Sequence, residues 1–441
     1  MIYSKHNLEG KFMKKQIKAT DILFIGLAFF ATYFGAGNLI FPPMLGLKSG
    51  TNWTAGMIGM LASGVGLPIL AILILGKCGS VQKISEHVHK KFYTVFIGMI
   101  MILCCCVSIP RTAAVGIEMG LQGVWGGAPY LVSVIIYFLI AFFFAKDRGS
   151  ALDKVGKILT PVMTVILLIL VIKGAISPIG TPAEPTVDNA FLNSFLGGYS
   201  TGDVLVSFLM ATVFFSTIRN KGYEGEQLKK VNLGAGLVAA ACLAIIYGGL
   251  LFMGACVSGE FSSDIGNAEL LLTVIRRSGG QIAIYGLCLS VILACLTTAI
   301  GQITAVADFF ETETHGKLPY KILVVIVPVV TTVVASFGLD TIVSLTSPWF
   351  SFTYPIALVL MLLGIFEKFI PNDGGFKGAT YFTVVYAFLD LPAEYGVHIG
   401  FLDKLLGLIP LYNYGFGWVV PAVAGFIIGL VVYPHLSKKA Q

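Results

Sequence analysis

The residues best suited to bind an ion are two adjacent threonines, Thr297 and Thr298, which lie among small and apolar residues. Sodium is a hard ion that prefers oxygen ligands such as hydroxyls, so this pair is a candidate sodium site. One alternative stays open, because a threonine in an apolar helix commonly donates its hydroxyl to a carbonyl of its own helix. Asp203 is a second candidate, since an ionisable group in apolar surroundings is costly and usually functional.

The first long apolar stretch is interrupted at residues 34–38, Phe-Gly-Ala-Gly-Asn, and we expect a sharp turn soon after, at Phe41, Pro42 and Pro43. Inside a lipid bilayer no water satisfies freed backbone groups, so unwound chain survives only where it is packed in protein or lines a solvated cavity. The interruption therefore predicts a binding site for a solute or an ion.

The elements that position these residues follow from the composition. Of 441 residues, 56% are hydrophobic and 12% are charged, and the mean hydropathy is +0.87. Soluble proteins carry about twice that charged fraction. The apolar runs are long enough for helices and too long for barrel strands. We predict an all-α polytopic membrane protein, with the lipid bilayer as its surroundings and no nucleic-acid partner despite a net charge of +6.

The hydropathy pattern predicts about twelve transmembrane helices: 20–47, 54–76, 92–117, 129–145, 156–173, 194–218, 231–256, 281–308, 320–337, 342–366, 378–396 and 415–433. Most Lys and Arg residues fall in the segments on one side, which places both termini in the cytoplasm. The basic N-terminal segment is then 1–19 and the C-terminal segment 434–441.

A second interruption opens the sixth predicted helix, at residues 197–203, Gly-Gly-Tyr-Ser-Thr-Gly-Asp. Interrupted helices at matching places in two halves are typical of transporters built from inverted repeats. We predict a 5+5 inverted repeat with discontinuous helices 1 and 6, formed by residues 20–173 and 194–366. Two extra C-terminal helices, 378–433, follow.

Four motifs carry a resemblance to a known family: residues 34–43, 109–113, 198–203 and 294–301. They resemble the branched-chain amino acid:cation symporter family, the bacterial system II carriers for leucine, isoleucine and valine, within the amino acid–polyamine–organocation superfamily. The resemblance covers nearly the whole chain. It departs in the sixth helix, where Gly202 and Asp203 stand in place of an expected Met-Asp pair. The resemblance implies uptake of these amino acids with sodium across the bacterial cytoplasmic membrane.

An amino acid zwitterion that leaves water needs partners for both of its charges. Free N–H groups of a half-helix suit the carboxylate, and carbonyls of the breaks suit the ammonium. The candidate substrate-binding residues are those of the two breaks and one aromatic neighbour: Gly35, Ala36, Gly37, Asn38, Tyr199, Ser200, Thr201, Gly202, Asp203 and Phe208. The resemblance implies that the carbonyls of Ala31 and Phe34 complete the sodium site of Thr297 and Thr298.

Arg111 lies inside the third predicted helix and needs a partner. We predict an intramembrane ion pair with Glu118, two turns further along the helix, or with Asp203. For Asp203 two roles stay open, since an aspartate at a helix start also caps the helix.

The predicted function is a secondary active symporter for leucine, isoleucine and valine, driven by a sodium gradient through alternating access. No nucleotide-binding loop of the G-x-x-x-x-G-K-[ST] type occurs in the chain, and no covalent cofactor is expected. Scattered acidic residues and the lack of a histidine in any predicted span argue against an intramembrane enzyme. A channel or sensor is a further alternative. Within transporters, the alternative is a proton- or sodium-coupled carrier of another small neutral amino acid, such as alanine or serine. The sequence leaves the oligomeric state open.

Overall fold

The computed structural model describes residues 16–78, 80–146 and 151–437, and its regular secondary structure in these ranges is helical throughout. Most of the predicted basic N-terminal segment, residues 1–15, and residues 438–441 at the other end lie outside the described residues. The all-α prediction is confirmed for the described chain.

Among the described residues, the first part of the chain contributes ten α-helices: α1 (Ala19–Tyr33), α2 (Ala36–Ser49), α3 (Trp53–Leu61), α4 (Leu67–Cys78), α5 (Val81–Glu86), α6 (Phe92–Leu103), α7 (Ile109–Val115), α8 (Gln122–Val124), α9 (Tyr130–Ala145) and α10 (Ala151–Ile176). Helices α3 and α4 join through a π-helical turn, and so do α6 with α7 and α7 with α8: Ala62–Gly66, Cys104–Ser108 and Gly116–Leu121. Such turns accompany functional sites in many helical proteins.

The second part, as far as residue 437 where the description ends, contributes nine α-helices: α11 (Ala190–Gly197), α12 (Asp203–Asn220), α13 (Gly225–Ala255), α14 (Asn267–Glu313), α15 (Tyr320–Ala335), α16 (Leu339–Phe366), α17 (Asp373–Glu394), α18 (Gly400–Gly407) and α19 (Val419–Ser437). Helix α14 is kinked at Gly280, whose φ of 66° and ψ of −160° are not helical. Every one of the twelve predicted segments therefore contains helix.

The first predicted helix is interrupted, at Phe34 and Gly35, and splits into α1 and α2. The expected sharp turn at Phe41, Pro42 and Pro43 is wrong, because α2 continues through both prolines to Ser49. Neighbouring helices in a membrane protein can satisfy the carbonyls that a proline leaves free, so proline is tolerated there. Helix α13 does pack closely at this point: a Cβ added to Gly254 would lie 2.0 Å from the Pro43 carbonyl oxygen.

The sixth predicted helix is interrupted as well. Helix α11 ends at Gly197, a 3-10 turn covers Gly198–Thr201, and α12 begins at Asp203. Between them Gly202 has a φ of 82°, a left-handed conformation that favours glycine. The chain thus changes direction with a residue suited to that backbone.

Five helical stretches of the described chain are long and apolar enough to cross a membrane: Gly37–Lys77, Phe92–Val124, Gly225–Ala255, Asn267–Glu313 and Leu339–Phe369. A sixth results if the bent pair Ala190–Ala211 and Val213–Asn220 is one span, and five shorter apolar helices accompany them. Large apolar side chains are exposed on the shorter helices, for example Leu139 on α9 and Val329 on α15, each 60% exposed. Exposed apolar faces of this kind are suited to lipid.

The last two long helices, α17 and α19, approach each other through glycines. A Cβ on Gly425 would lie 2.3 Å from the carbonyl oxygen of Gly378, and a Cβ on Gly429 would lie 1.9 Å from that of Gly374. Small residues allow such close packing in membranes. The GxxxG spacing of Gly425 and Gly429 therefore allows α19 to pack closely against α17 of the same chain.

Replacing Gly425 with valine should destabilise this α17–α19 pair by about 1–3 kcal/mol, the usual cost of overpacking. Thermal unfolding of the purified protein in detergent measures the effect. Gly407→Ala is the matched control, because a Cβ at Gly407 meets nothing within 4 Å. An unchanged unfolding temperature for Gly425→Val would contradict the described packing.

Candidate functional site

The two helix breaks meet through one hydrogen bond. The Asn38 side chain of α2 donates from Nδ2 to Oδ2 of Asp203, the first residue of α12, over 2.8 Å. Both side chains are buried, at 2% and 1% exposure. The sequence placed each residue in a break, and the structure brings them together across 165 positions of the chain.

The N-cap residue of α12 is Gly202, and the hydrogen bonds found for the Asp203 carboxylate in the described chain go to other helices and not to N–H groups of α12. Its Oδ2 accepts a second hydrogen bond, from the Tyr247 hydroxyl of α13 over 2.9 Å. The Asn38 amide also contacts this hydroxyl. The other carboxylate oxygen of Asp203, Oδ1, is buried and has no hydrogen-bond partner. The backbone carbonyl of Asp203 accepts from Ser207, whose hydroxyl lies 2.9 Å from that of Tyr33 on α1.

Asn38 also holds the first break open. The Gly35 N–H, which a continuous helix would donate to the Ala31 carbonyl, donates to Asn38 Oδ1 over 3.0 Å. The Ala31 carbonyl is thereby freed for another partner. The first N–H groups of α2, at Ala36 and Gly37, have no carbonyl of the preceding turn to bind, as at any helix start. The break thus presents carbonyls at one end and N–H groups at the other.

Thr298 of α14 lies beside this break. A Cβ added to Gly35 would lie 3.7 Å from Cγ2 and 3.9 Å from Oγ1 of Thr298. Thr297 donates its hydroxyl to the carbonyl of Ala294, in the own-helix manner that the sequence left open. Its oxygen keeps lone pairs that could bind a cation. No group of three or more His, Cys, Asp or Glu residues suited to a metal occurs in the described chain.

Arg111 of α7 binds the second break. Its Nη1 donates to the Ser200 carbonyl over 2.9 Å and its Nη2 to the Thr201 carbonyl over 3.3 Å. The guanidinium lies between two aromatic rings, those of Phe41 and Phe350, with its carbon 5.5 and 5.6 Å from their centroids. A cation is favourable next to carbonyls at a helix end and over aromatic faces.

The predicted ion pair of Arg111 with Glu118 or Asp203 does not form: neither carboxylate lies within 4.0 Å of the guanidinium among the described residues. Carbonyls of the second break take the place of a carboxylate partner. Glu118 instead accepts the Leu339 N–H at the start of α16 over 2.9 Å. It lines a cavity of about 650 Å³, together with residues such as Glu269 and Arg276, away from the breaks.

The remaining candidate residues lie in or near the second break. Tyr199 stacks on Tyr354 of α16, with ring centroids 4.5 Å apart, and its hydroxyl is buried with no hydrogen-bond partner. The Thr201 hydroxyl donates to the Gly198 carbonyl within the 3-10 turn. Phe208 is buried on α12 and packs edge-on against Phe96 of α6, so its contact here is with the protein core.

Sequence reasoning missed several contributors to the site: Tyr33, Phe41, Ser207, Tyr247 and Phe350. An aromatic residue in an apolar helix has the same local pattern in a packed core and in a binding site, so the pattern cannot identify them. Phe41 was within reach, because it stands in the first of the four motifs, three residues after the interrupted segment.

Proteins of similar sequence match this chain over almost its whole length. The model of a family described as branched-chain amino acid transport protein matches residues 18–436. The chain is 33% identical to the branched-chain amino acid permease BraB of Bacillus subtilis, covering 97% of this chain and 99% of that protein. It is 34% identical to the permease BrnQ of the same organism, covering 97% of this chain and 100% of that protein. A branched-chain amino acid transport system 2 carrier of Pseudomonas aeruginosa is 29% identical, over 96% of this chain and 99% of that protein.

Solved structures share the fold at low sequence identity. A manganese transporter of Eremococcus coleocola superposes with a TM-score of 0.59 at 12% identity, covering 93% of this chain and 94% of that chain. A Na⁺-coupled sialic acid symporter gives 0.52 at 14% identity, covering 93% and 96%. MhsT, solved with L-phenylalanine, gives 0.55 at 14% identity, covering 93% and 98%. The fold is that of transporters.

Proposed function

The chain belongs to the family of branched-chain amino acid transport proteins, and from this we propose that it imports leucine, isoleucine and valine, driven by a sodium gradient. It is an integral membrane transporter and not an enzyme. The proposal includes the bacterial cytoplasmic membrane as its location, with both termini in the cytoplasm.

The proposed architecture is twelve spans with a 5+5 inverted repeat and two appended helices. Its support is the matching pair of interruptions, α1 with α2 and α11 with α12, at corresponding places five spans apart. In alternating access, spans 1, 2, 6 and 7 would rock against spans 3, 4, 8 and 9 and expose the breaks to one side at a time.

The hydrogen bond between Asn38 and Asp203 is the observation that carries the proposal. It joins the first turn of α2 to the carboxylate of Asp203, and beside it the Gly35 N–H donates to Asn38 rather than to the Ala31 carbonyl. Such a set suits the polar end of an amino acid, and buried apolar side chains are available for its aliphatic end.

Sodium is proposed to bind between α14 and the first break. Two observations support this position. Thr298 lies beside Gly35, and the Gly35 N–H donates to Asn38 and so leaves the Ala31 carbonyl without its usual helical donor. The Phe34 carbonyl, at the end of α1, is a further candidate. A cation there would order the broken helix before the amino acid binds, a coupling of about 1–3 kcal/mol.

Uptake of radiolabelled leucine into proteoliposomes tests the proposal, with sodium gradients, potassium gradients and pH gradients imposed in parallel. We expect accumulation only with inward sodium. Accumulation driven by a pH gradient alone would support proton coupling, for which the buried carboxyl of Asp203 is the candidate carrier. Uptake of alanine or serine in preference to leucine would support the alternative substrate class.

Replacing Thr298 with alanine should raise the sodium concentration for half-maximal uptake by about tenfold or more, the effect of one lost ligand worth about 1.4 kcal/mol. Thr297→Ala should act in the same direction. Neither change should alter the ranking of leucine, isoleucine and valine. Thr304→Ala is the matched control on α14, because Thr304 lies six residues beyond Thr298, about 9 Å further along the helix. Unchanged sodium dependence in both Thr297→Ala and Thr298→Ala would exclude this ion site.

A further inference from the structure

Two opposite charges are buried close to the breaks without forming a pair with each other. Arg111 is 4% exposed and Asp203 is 1% exposed, and no salt bridge within 4.0 Å joins them in the described chain. Removing a charge from water costs several kcal/mol unless an opposite charge compensates it. The two residues attract each other at longer range, but no contact ion pair offsets the cost of burying either charge.

The hydrogen-bond partners and ring contacts of Arg111 are all neutral. Carbonyls of Ser200 and Thr201 accept from its two terminal nitrogens, and the rings of Phe41 and Phe350 flank it. Its third nitrogen, Nε, is buried and has no hydrogen-bond partner. A guanidinium has a planar set of five N–H donors that matches a carboxylate. The Arg111 guanidinium therefore has N–H groups left to donate to a carboxylate.

Asp203 shows the complementary situation. Its Oδ2 accepts from two neutral donors, Asn38 and Tyr247, and its Oδ1 is buried and accepts nothing. A carboxylate oxygen in this state is suited to an ammonium group, which brings both a donor and the missing positive charge.

Arg111 lies next to the N-terminus of α2. A Cβ added to Gly37 would lie 2.8 Å from Nη2 of Arg111, so the guanidinium closely approaches the first turn of that helix. The free N–H groups of this turn also favour negative charge. A carboxylate there would be bound by backbone N–H groups and by the guanidinium together.

We propose that Arg111 binds the α-carboxylate and Asp203 binds the α-ammonium of the transported amino acid, so that the substrate supplies both missing counter-charges. The inference rests on the proposed function and extends it, because it makes the zwitterionic end of the substrate the element that the site recognises. An amine or a carboxylic acid with the same side chain leaves one buried charge uncompensated and is rejected. Gly37 is a positioning residue here, because its missing side chain leaves room for the guanidinium.

Ligand-dependent thermal stabilisation of the purified full-length protein, in sodium, tests the proposal. The ligands are leucine, leucinol, which lacks the carboxylate, and α-hydroxyisocaproate, which lacks the ammonium. Wild-type protein should bind leucine about 100-fold more tightly than either analogue, as expected when one member of a buried charge pair is missing. Arg111→Gln should lower the affinity for leucine by about 100-fold and leave that for leucinol unchanged. Asp203→Asn should likewise lower the affinity for leucine by about 100-fold, and it should leave the affinity for α-hydroxyisocaproate unchanged.

Equal losses of affinity for leucine and leucinol in Arg111→Gln would overturn the proposal, since they would mean that Arg111 only holds the second break in shape. Arg111→Lys, which keeps the charge but not the fork, should bind leucine with intermediate affinity and covers the case in which Arg111→Gln does not fold. Arg277→Gln is the charge-matched control, because Arg277 pairs with Glu260 away from the breaks.

The same experiment separates this inference from the proposed function. If wild-type protein binds a different amino acid, the proposed substrate is wrong, and the three-ligand series repeated with that amino acid still decides the inference. If it binds no amino acid, both fail.

Discussion

Replacing Asn38 with aspartate should reduce leucine uptake by about 100-fold or more, because it would bury two carboxylates side by side. The Asn38 amide donates to Asp203 Oδ2 over 2.8 Å, while its oxygen accepts from Gly35 N–H. Aspartate keeps the acceptor and exchanges the donor for a second negative charge. Initial uptake rates in proteoliposomes measure the loss, and the thermal unfolding temperature should fall with them.

The reciprocal exchange separates charge repulsion from a loss of shape. In the double variant Asn38→Asp with Asp203→Asn, one carboxylate again faces one amide, so thermal stability should return towards that of the wild type. Uptake need not return, because the carboxylate has moved to the other helix. Wild-type uptake by the single Asn38→Asp variant would show that the contact between the two breaks is not needed for transport.

Replacing Gly198 with alanine should reduce uptake by about tenfold or more, through an overpacking cost of about 1–3 kcal/mol at the second break. The added Cβ would lie 2.0 Å from Oγ of Ser63 and 3.2 Å from the backbone nitrogen of Gly64. The backbone of Gly198, with a φ of −62°, accepts alanine without strain, so the effect is steric. The turn that carries Tyr199 and Thr201 would be displaced.

A second substitution gives the decisive comparison. Changing Ser63 to glycine removes both the hydroxyl and the Cβ that crowd position 198, so Gly198→Ala with Ser63→Gly should recover uptake relative to Gly198→Ala alone. Ser63 donates only to Gly59 of its own helix, over 3.3 Å, so little else depends on it. Equal uptake in the single and double variants would mean that the crowding does not explain the loss.

The sequence predicted the helical class and both interruptions because these depend on local composition. Unwound glycine-rich chain between long apolar runs has few uses in a bilayer, so the first break, at Phe34 and Gly35, could be identified without a structure. The expected turn at Pro42 and Pro43 failed, because packing against α13 decides whether proline ends a helix there.

The partners of the buried charges could not be predicted, because they depend on contacts between distant segments. Arg111 was assigned a carboxylate partner by a rule that buried charges pair, and it binds carbonyls of Ser200 and Thr201 instead. The Tyr247 hydroxyl, which donates to Asp203, has no distinguishing signal in its surrounding sequence. The spacing of residues along a helix also misleads where the turn is not α-helical, as before and after α7.

Because of the π-helical turns, the effect of deleting a residue depends on where in a helix the deletion falls. A π turn holds one residue more than an α turn, so deleting one residue within Cys104–Ser108 would let the backbone close into a regular helix with its hydrogen bonds intact. Because the π turn and the α turn that replaces it each make about one full revolution, the helix beyond would keep its rotational phase, and Arg111, three residues after this turn, would still face the second break. Deleting one residue from the regular turns of α6 would instead rotate everything beyond it by ~100°, the angle per residue of an α-helix, and would move Arg111 away from the break. Homologues that lack one residue in this span are therefore expected to keep the site when the gap falls in the π turn and to lose it when the gap falls in an α-helical turn.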